Sequence, residues 1–189
     1  MTFALAVLLA AVLLVVLLPV ASYNRFVRQR NLVEESWKQV DVELRRRYDL
    51  IPNLVETVKA YAAHERATLE AVVAARAAAA APTASRAAQG ADESALTRSL
   101  RGLLAVAESY PLLKADTQFR MLQGQLAETE DRIAAARRFY NANVRGLNTR
   151  VEAFPSSVIA GAFHFGKAEY FEVEDLAVRA PVNVDLGDA

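Results

Sequence analysis

Only a few stretches of this chain hold residue types at spacings that chemistry requires. One is "HERAT" at His64. A zinc-peptidase helix carries a second histidine one turn later, so that two ring nitrogens share a face while the acid acts as base. Thr68 stands in that place, and His64 with Glu65 reads as a helix-surface pair. His164, between Phe163 and Phe165, reads as packed against aromatics. Glu128, Glu130 and Asp131 are acids on a helical pattern, where pairing with neighbours such as Arg132 or simple solvation is the usual role. No G-x-x-x-x-G-K-[ST], G-x-S-x-G or G-x-G-x-x-G string occurs, so phosphate cradling and the common hydrolase elbow have no support. Cysteine is absent, which excludes disulfides, thiolate chemistry and cysteine-held metals. The reading is therefore non-enzymatic, with no catalytic residue, no metal and no cofactor expected.

Two polar clusters point to roles in architecture or binding. Arg45, Arg46, Arg47, Tyr48 and Asp49 run directly into "LIPN". Cations in a helix's last turn complement its dipole and unpaired carbonyls, so the stretch reads as the corner where one helix folds back on another. One arginine would then reach acids on a later helix while the others face water. The alternative is a partner-binding or anionic-ligand site made of the same five residues. The second cluster sets Asn141, Asn143 and Asn148 among Arg137, Arg138 and Arg145. A solvated face and a polar contact that fixes helix register both fit it.

The elements that must position these groups begin with an apolar run from Phe3 to Ala21, "FALAVLLAAVLLVVLLPVA". At 1.5 Å per residue such a run matches a hydrocarbon layer ~30 Å thick. No Lys or Arg precedes it and it is long for a signal peptide's apolar region, which favours a transmembrane anchor over a cleaved signal. Arg25, Arg28 and Arg30 follow it, so the positive-inside rule puts the N-terminus outside and the bulk of the chain in the cytoplasm. Net charge is zero; with no basic excess to neutralise phosphates, nucleic acid is not an expected partner.

Beyond the run, apolar residues recur at helical spacing. One stripe is Phe26, Val33, Trp37, Val40 and Leu44. A second is Leu54, Val58, Tyr61, Leu69 and Val72, with Pro52 in its first turn and Asp49 or Asn53 as cap. A third is Leu96, Leu100, Leu103, Leu104 and Ala107. The longest runs from Phe119 through Leu122, Leu126, Thr129, Ile133, Ala136, Tyr140 and Leu147 to Val151, opened by Asp116 or Thr117. These predict an all-α chain: an N-terminal transmembrane helix (1–22), then a long antiparallel four-helix bundle (23–153). The Ala-rich stretch 77–92 reads as a flexible loop, 154–172 as an aromatic segment packed on the bundle, and 173–189 as an acidic flexible tail.

Two blocks carry a family resemblance: "YNRFVRQRNLVEESWKQVDVELRRRYDLIPNLVETVKAYAAHERATLEAVVAAR" from Tyr23 and "LKADTQFRMLQGQLAETEDRIAAARRFYNANVRGLNTRVEAFPSSVIAGAFHFGKAEYFE" from Leu113. Both resemble the LemA family of bacterial membrane proteins. The resemblance implies a single-pass anchor, an outside-to-inside orientation and a long helical bundle, and it brings no accepted catalytic residues.

The function expected is a membrane-anchored scaffold that self-associates or recruits a protein, with the bilayer as a further partner through the span. Alternatives are an accessory subunit of a membrane enzyme such as a protease, or an exported helical protein if the N-terminal segment is cleaved. If the helix from Ser22 to Arg47 is continuous, its far end stands ~38 Å beyond the span. That is well past the ~8 Å over which salt screens surface charge, so the three arginines do not read lipid headgroups.

Overall fold

The computed structural model describes residues 2–173, with the side chains of residues 2, 6–8 and 10–16 outside that description. Among the described residues six helices follow one another: α1 Thr2–Tyr61, α2 Arg66–Ala80, α3 Arg86–Glu108, α4 Pro111–Ala115, α5 Thr117–Glu152 and α6 Ser156–Ala162. Among the described residues there is no strand, and the protein is all-α. The tail expected at 173–189 lies outside the described residues apart from Val173.

The corner expected after Arg47 is absent, because α1 runs unbroken through Pro52. Proline has no N–H for the Tyr48 carbonyl, and its ring crowds that group, at a cost of ~3 kcal/mol. On either side of it Ile51, Leu54, Val55 and Val58 are all buried, at ~1.5–3 kcal/mol each. Their burial exceeds the proline's cost and keeps the helix in register. Asp49 and Asn53 therefore open no helix, and the arginines have no nearby helix end to complement. The helix stops instead at Tyr61, before Ala62-Ala63-His64-Glu65.

The expected loop at 77–92 also shrinks. Helix α2 continues to Ala80 and α3 begins at Arg86, which leaves 81–85 as the link. Ala81 turns extended, as the residue before a proline tends to. Ser85 then caps α3 by accepting a hydrogen bond from the Ala88 amide at 3.1 Å.

The chain gathers into two compact units in place of a single four-helix core. Unit 1 comprises Met1–Leu50 and Gln123–Tyr170. Its core pairs Phe26, Val33, Val40 and Leu44 of α1 with Leu126, Ile133, Tyr140, Val144 and Leu147 of α5, all buried. Steps of three, four and seven keep each seam on one face, the pattern of coiled-coil packing. Gln29 meets Arg150, Trp37 meets Tyr140 and Arg47 meets Glu130. Positions rise along α1 as they fall along α5, so the pair is antiparallel.

Unit 2 comprises Ile51–Leu122 and Phe171–Ala189. The end of α1, helices α2 to α4 and the start of α5 supply its core of Leu54, Val58, Leu69, Val72, Leu96, Leu103, Leu113 and Phe119, all buried. A polar latch closes the α2–α3 hairpin. Gln89 Nε2 donates to the Ala79 carbonyl and to Glu93 Oε1, both at 2.9 Å, and the Thr83 hydroxyl donates to Gln89 Oε1 at 3.0 Å. Gly90, at the next position of α3, lies so close to the Glu172 backbone carbonyl that a Cβ would collide with it. The division between units falls beside Pro52 in α1 and Gly124 in α5, two residues that weaken a helix.

Candidate functional site

The five residues of the basic stretch lie in unit 1 on α1, where each successive side chain turns by about 100°. Arg45 is exposed and pairs with Asp41 at 2.9 Å, while Arg46, also exposed, stands 3.8 Å from Glu43. Such solvated pairs contribute a few tenths of a kcal/mol each. Arg47 is different: it is 1% exposed, and its Nη1 donates to Glu130 Oε1 on α5 at 2.7 Å. Tyr48 is buried and Asp49 exposed. The five do not form one surface. Arg47 and Tyr48 belong to the interior of unit 1, which leaves Arg45, Arg46 and Asp49 facing outward.

The asparagine cluster separates in the same way. Asn148 is buried, and its amide grips the backbone of Ala168: Nδ2 donates to the Ala168 carbonyl at 3.0 Å, and Oδ1 accepts from the Ala168 N–H at 2.8 Å. The Tyr140 hydroxyl donates to the Glu169 carbonyl at 2.8 Å. A side-chain amide thus supplies both a donor and an acceptor to one residue of a segment that belongs to no helix. Helical spacing points to a partner for Asn148 on another helix. The partner is a main-chain group, which no residue type announces.

The other end of unit 1 carries an aromatic cluster. The Tyr23 ring meets Phe163 edge-on at 4.9 Å and Phe165 at 5.5 Å, and Phe26 stacks on Phe165 at 4.8 Å. The Arg30 guanidinium lies 5.9 Å from the Phe165 ring centre and that of Arg150 lies 5.9 Å from Phe26. Arg150 Nε also donates to Gln29 Oε1 at 2.8 Å. His164, expected among these rings, is exposed instead and adopts a left-handed backbone (φ 56°) just after α6. Beside the cluster, the end of the apolar run and α6 enclose a groove of about 750 Å³.

His64 is exposed in the turn after α1, and in unit 2 Glu65 accepts a hydrogen bond from the Tyr110 hydroxyl at 3.2 Å. Among the described residues no three His, Cys, Asp or Glu side chains gather as metal ligands would. Nor, among the described residues, is any helix long and apolar enough to cross a membrane. The run from Phe3 to Ala21 includes side chains outside that description.

Among the described residues the chain is all-helical, and polar side chains such as Arg47 and Asn148 join helices to one another and to a strip of main chain. The family model for the LemA family matches residues 36–186, and the chain belongs to that family. Over 70 residues it is 36% identical to magnetosome protein MamQ 2 of Paramagnetospirillum magneticum, a match covering 37% of this chain and 26% of the relative. Magnetosome protein MamQ 1 of the same organism matches to the same extent. Magnetosome protein MamQ of Magnetospirillum gryphiswaldense is 30% identical over 69 residues, 36% of this chain and 25% of the relative. The chain thus spans about a quarter of the length of these curated relatives.

Proposed function

We propose that the protein is a membrane-tethered helical scaffold, non-enzymatic, that recruits a protein or a second copy of itself on the cytoplasmic side. The observation that carries this reading is the continuity of α1, which runs from the apolar segment into the core of unit 1 without a break. A bilayer that holds Phe3 to Ala21 as a single span therefore also holds unit 1. Leu17, Leu18 and Val20 are exposed, as residues facing lipid are. The relatives are named for the magnetosome and not for a reaction, which agrees with a structural role. Arg45, Arg46 and Asp49 form the recruiting face, with Arg45 ~36 Å along the helix from Ala21.

The test uses the full chain purified in mild detergent, with a crosslinker attached to a single cysteine introduced as Asp49→Cys; the chain has no other cysteine. Capture of a second copy or a defined protein is expected. Replacing Arg45 and Arg46 with alanine is expected to abolish capture without moving the helical melt, since both side chains are exposed. A monodisperse monomer that captures nothing overturns the reading.

A further inference from the structure

The groove beside α6 has features that a protein-recruiting scaffold does not need. Its walls are apolar, contributed by Leu18 and Ala21 on α1 and by Val158 and Ile159 on α6, and Arg25 and Arg150 also line it. No acid is among its lining residues, and the first acid of the chain is Glu34. A volume of about 750 Å³ lies within the ~300–1,000 Å³ common for small-molecule sites. Arg150 is held in place by its bond to Gln29 and by the Phe26 ring, so its charge is positioned in advance.

The surface around the groove is apolar as well. Phe154 is 84% exposed, Val158 60% and Phe163 53%. Phe154 and Val158 line the groove together with Leu18, which is itself exposed. Tyr23, edge-on to Phe163 and Phe165, is of a residue type that settles at the boundary between hydrocarbon and water, and the Arg30 guanidinium lies over the Phe165 ring.

We propose that this groove seats an anionic phospholipid of the surrounding bilayer, its phosphate between Arg25 and Arg150 and an acyl chain along Leu18, Ala21, Val158 and Ile159. The proposal rests on the tether reading, because only a chain held by its apolar run presents the groove at headgroup depth. Charge sign and continuity with the apolar run decide for lipid over a protein occupant. Helix α6 then lies at the interface as part of the membrane contact.

The absence of native cysteine permits an unambiguous probe. Full-length chain carrying Gly161→Cys, an exposed α6 position outside the groove lining where a Cβ meets nothing within 4 Å, is labelled with an environment-sensitive fluorophore, reconstituted into vesicles of phosphatidylcholine with phosphatidylglycerol and floated on a density gradient. Brominated phosphatidylglycerol is expected to quench the label more than brominated phosphatidylcholine at equal content. Arg25→Gln and Arg150→Gln are each expected to reduce that preference by roughly five-fold, the scale of one cation near an anionic surface. Arg25→Gln is the variant least able to disturb folding, since its side chain is exposed, and it decides the matter if Arg150→Gln lowers the melt. Chain that fails to float overturns the tether and this proposal together. Chain that floats with its label in water, or is quenched equally by both lipids, overturns this proposal alone.

Discussion

Unit 1 and unit 2 solve the same problem, burying apolar helix faces, in different ways. Unit 1 relies on length. Two long stretches of α1 and α5 repeat their apolar residues for turn after turn, and the polar bonds between them, Arg47 to Glu130 and Gln29 to Arg150, act at single points. Unit 2 has shorter helices and more turns. Its chain reversals depend on local polar bonds: Ser85 at the start of α3, Gln89 between Ala79 and Glu93, and Asp116 at the start of α5. A long seam tolerates loss of one contact better than a short hairpin does, unless that contact is a buried charge. The difference predicts where single substitutions do most harm.

The largest expected effect lies at Arg47. Truncation to alanine removes a buried guanidinium and strands Glu130, and breaking a buried pair costs ~3–5 kcal/mol. The Glu130 side chain retains 37% exposure, so a loss at the low end, about 3 kcal/mol, is expected. Replacing both partners, Arg47→Met with Glu130→Gln, keeps the volume, strands no charge, and is expected to cost less than half as much. Urea unfolding of the two variants checks this; equal losses would show that loss of the pair itself, and neither the lost packing nor the stranded carboxylate, sets the cost.

A smaller effect separates two helical glycines. Gly90→Val places a side chain against the Glu172 main chain and is expected to destabilise by ~2 kcal/mol, as overpacking does. At Gly124 a Cβ meets nothing within 4 Å, so Gly124→Ala is expected to stabilise by up to ~1 kcal/mol through helix propensity. Thermal melts read both signs. A Gly90→Val variant as stable as the parent would remove the close approach from the account of unit 2.

The long seams are legible in the sequence because apolar spacing is itself the physical cause of helix pairing. Phe26, Val33, Val40 and Leu44, and Phe119, Leu122, Leu126, Ile133, Tyr140 and Leu147, are buried as their periodicity implies. The end of α1 is not legible. Pro52 is a strong local signal that four buried side chains override, whereas Ala62 to Glu65 carries neither proline nor glycine. The Ala-rich segment misleads for a related reason: alanine suits both a fraying helix and a packed one, and Gln89 and Glu93 reveal their role only once the hairpin is closed. For the basic stretch, the residue types alone suggest that one arginine reaches an acid on a later helix. That it is Arg47 depends on helical phase across an unbroken α1.

The smallest expected effect tests a chain reversal in unit 2 by pH. Asp116 Oδ1 accepts from the Phe119 amide at 2.8 Å, and Oδ2 accepts from the Tyr61 hydroxyl at 3.0 Å. The amide bond first, and then the tyrosine bond, hold the carboxyl below its ordinary value. The same tyrosine bond, reinforced by the carboxylate's charge, raises the Tyr61 phenol. A depressed acid contributes stability above its unfolded value of about 3.9 and loses it as pH falls through the folded value. A raised phenol contributes below its unfolded value of about 10 and loses that as pH rises through the folded value. Melts across pH should therefore show an acid limb that Asp116→Asn flattens, because the amide still caps α5 without titrating. Tyr61→Phe should shallow the alkaline limb, the remainder coming from Tyr110, whose phenol is raised by burial and by its bond to Glu65, and should leave most of the acid limb, since the Phe119 bond remains. If Asp116→Asn keeps the parent's acid limb, the reversal into α5 is held by the buried Leu113 and Phe119, and unit 2 is closer to unit 1 in how it is stabilised than its polar bonds suggest.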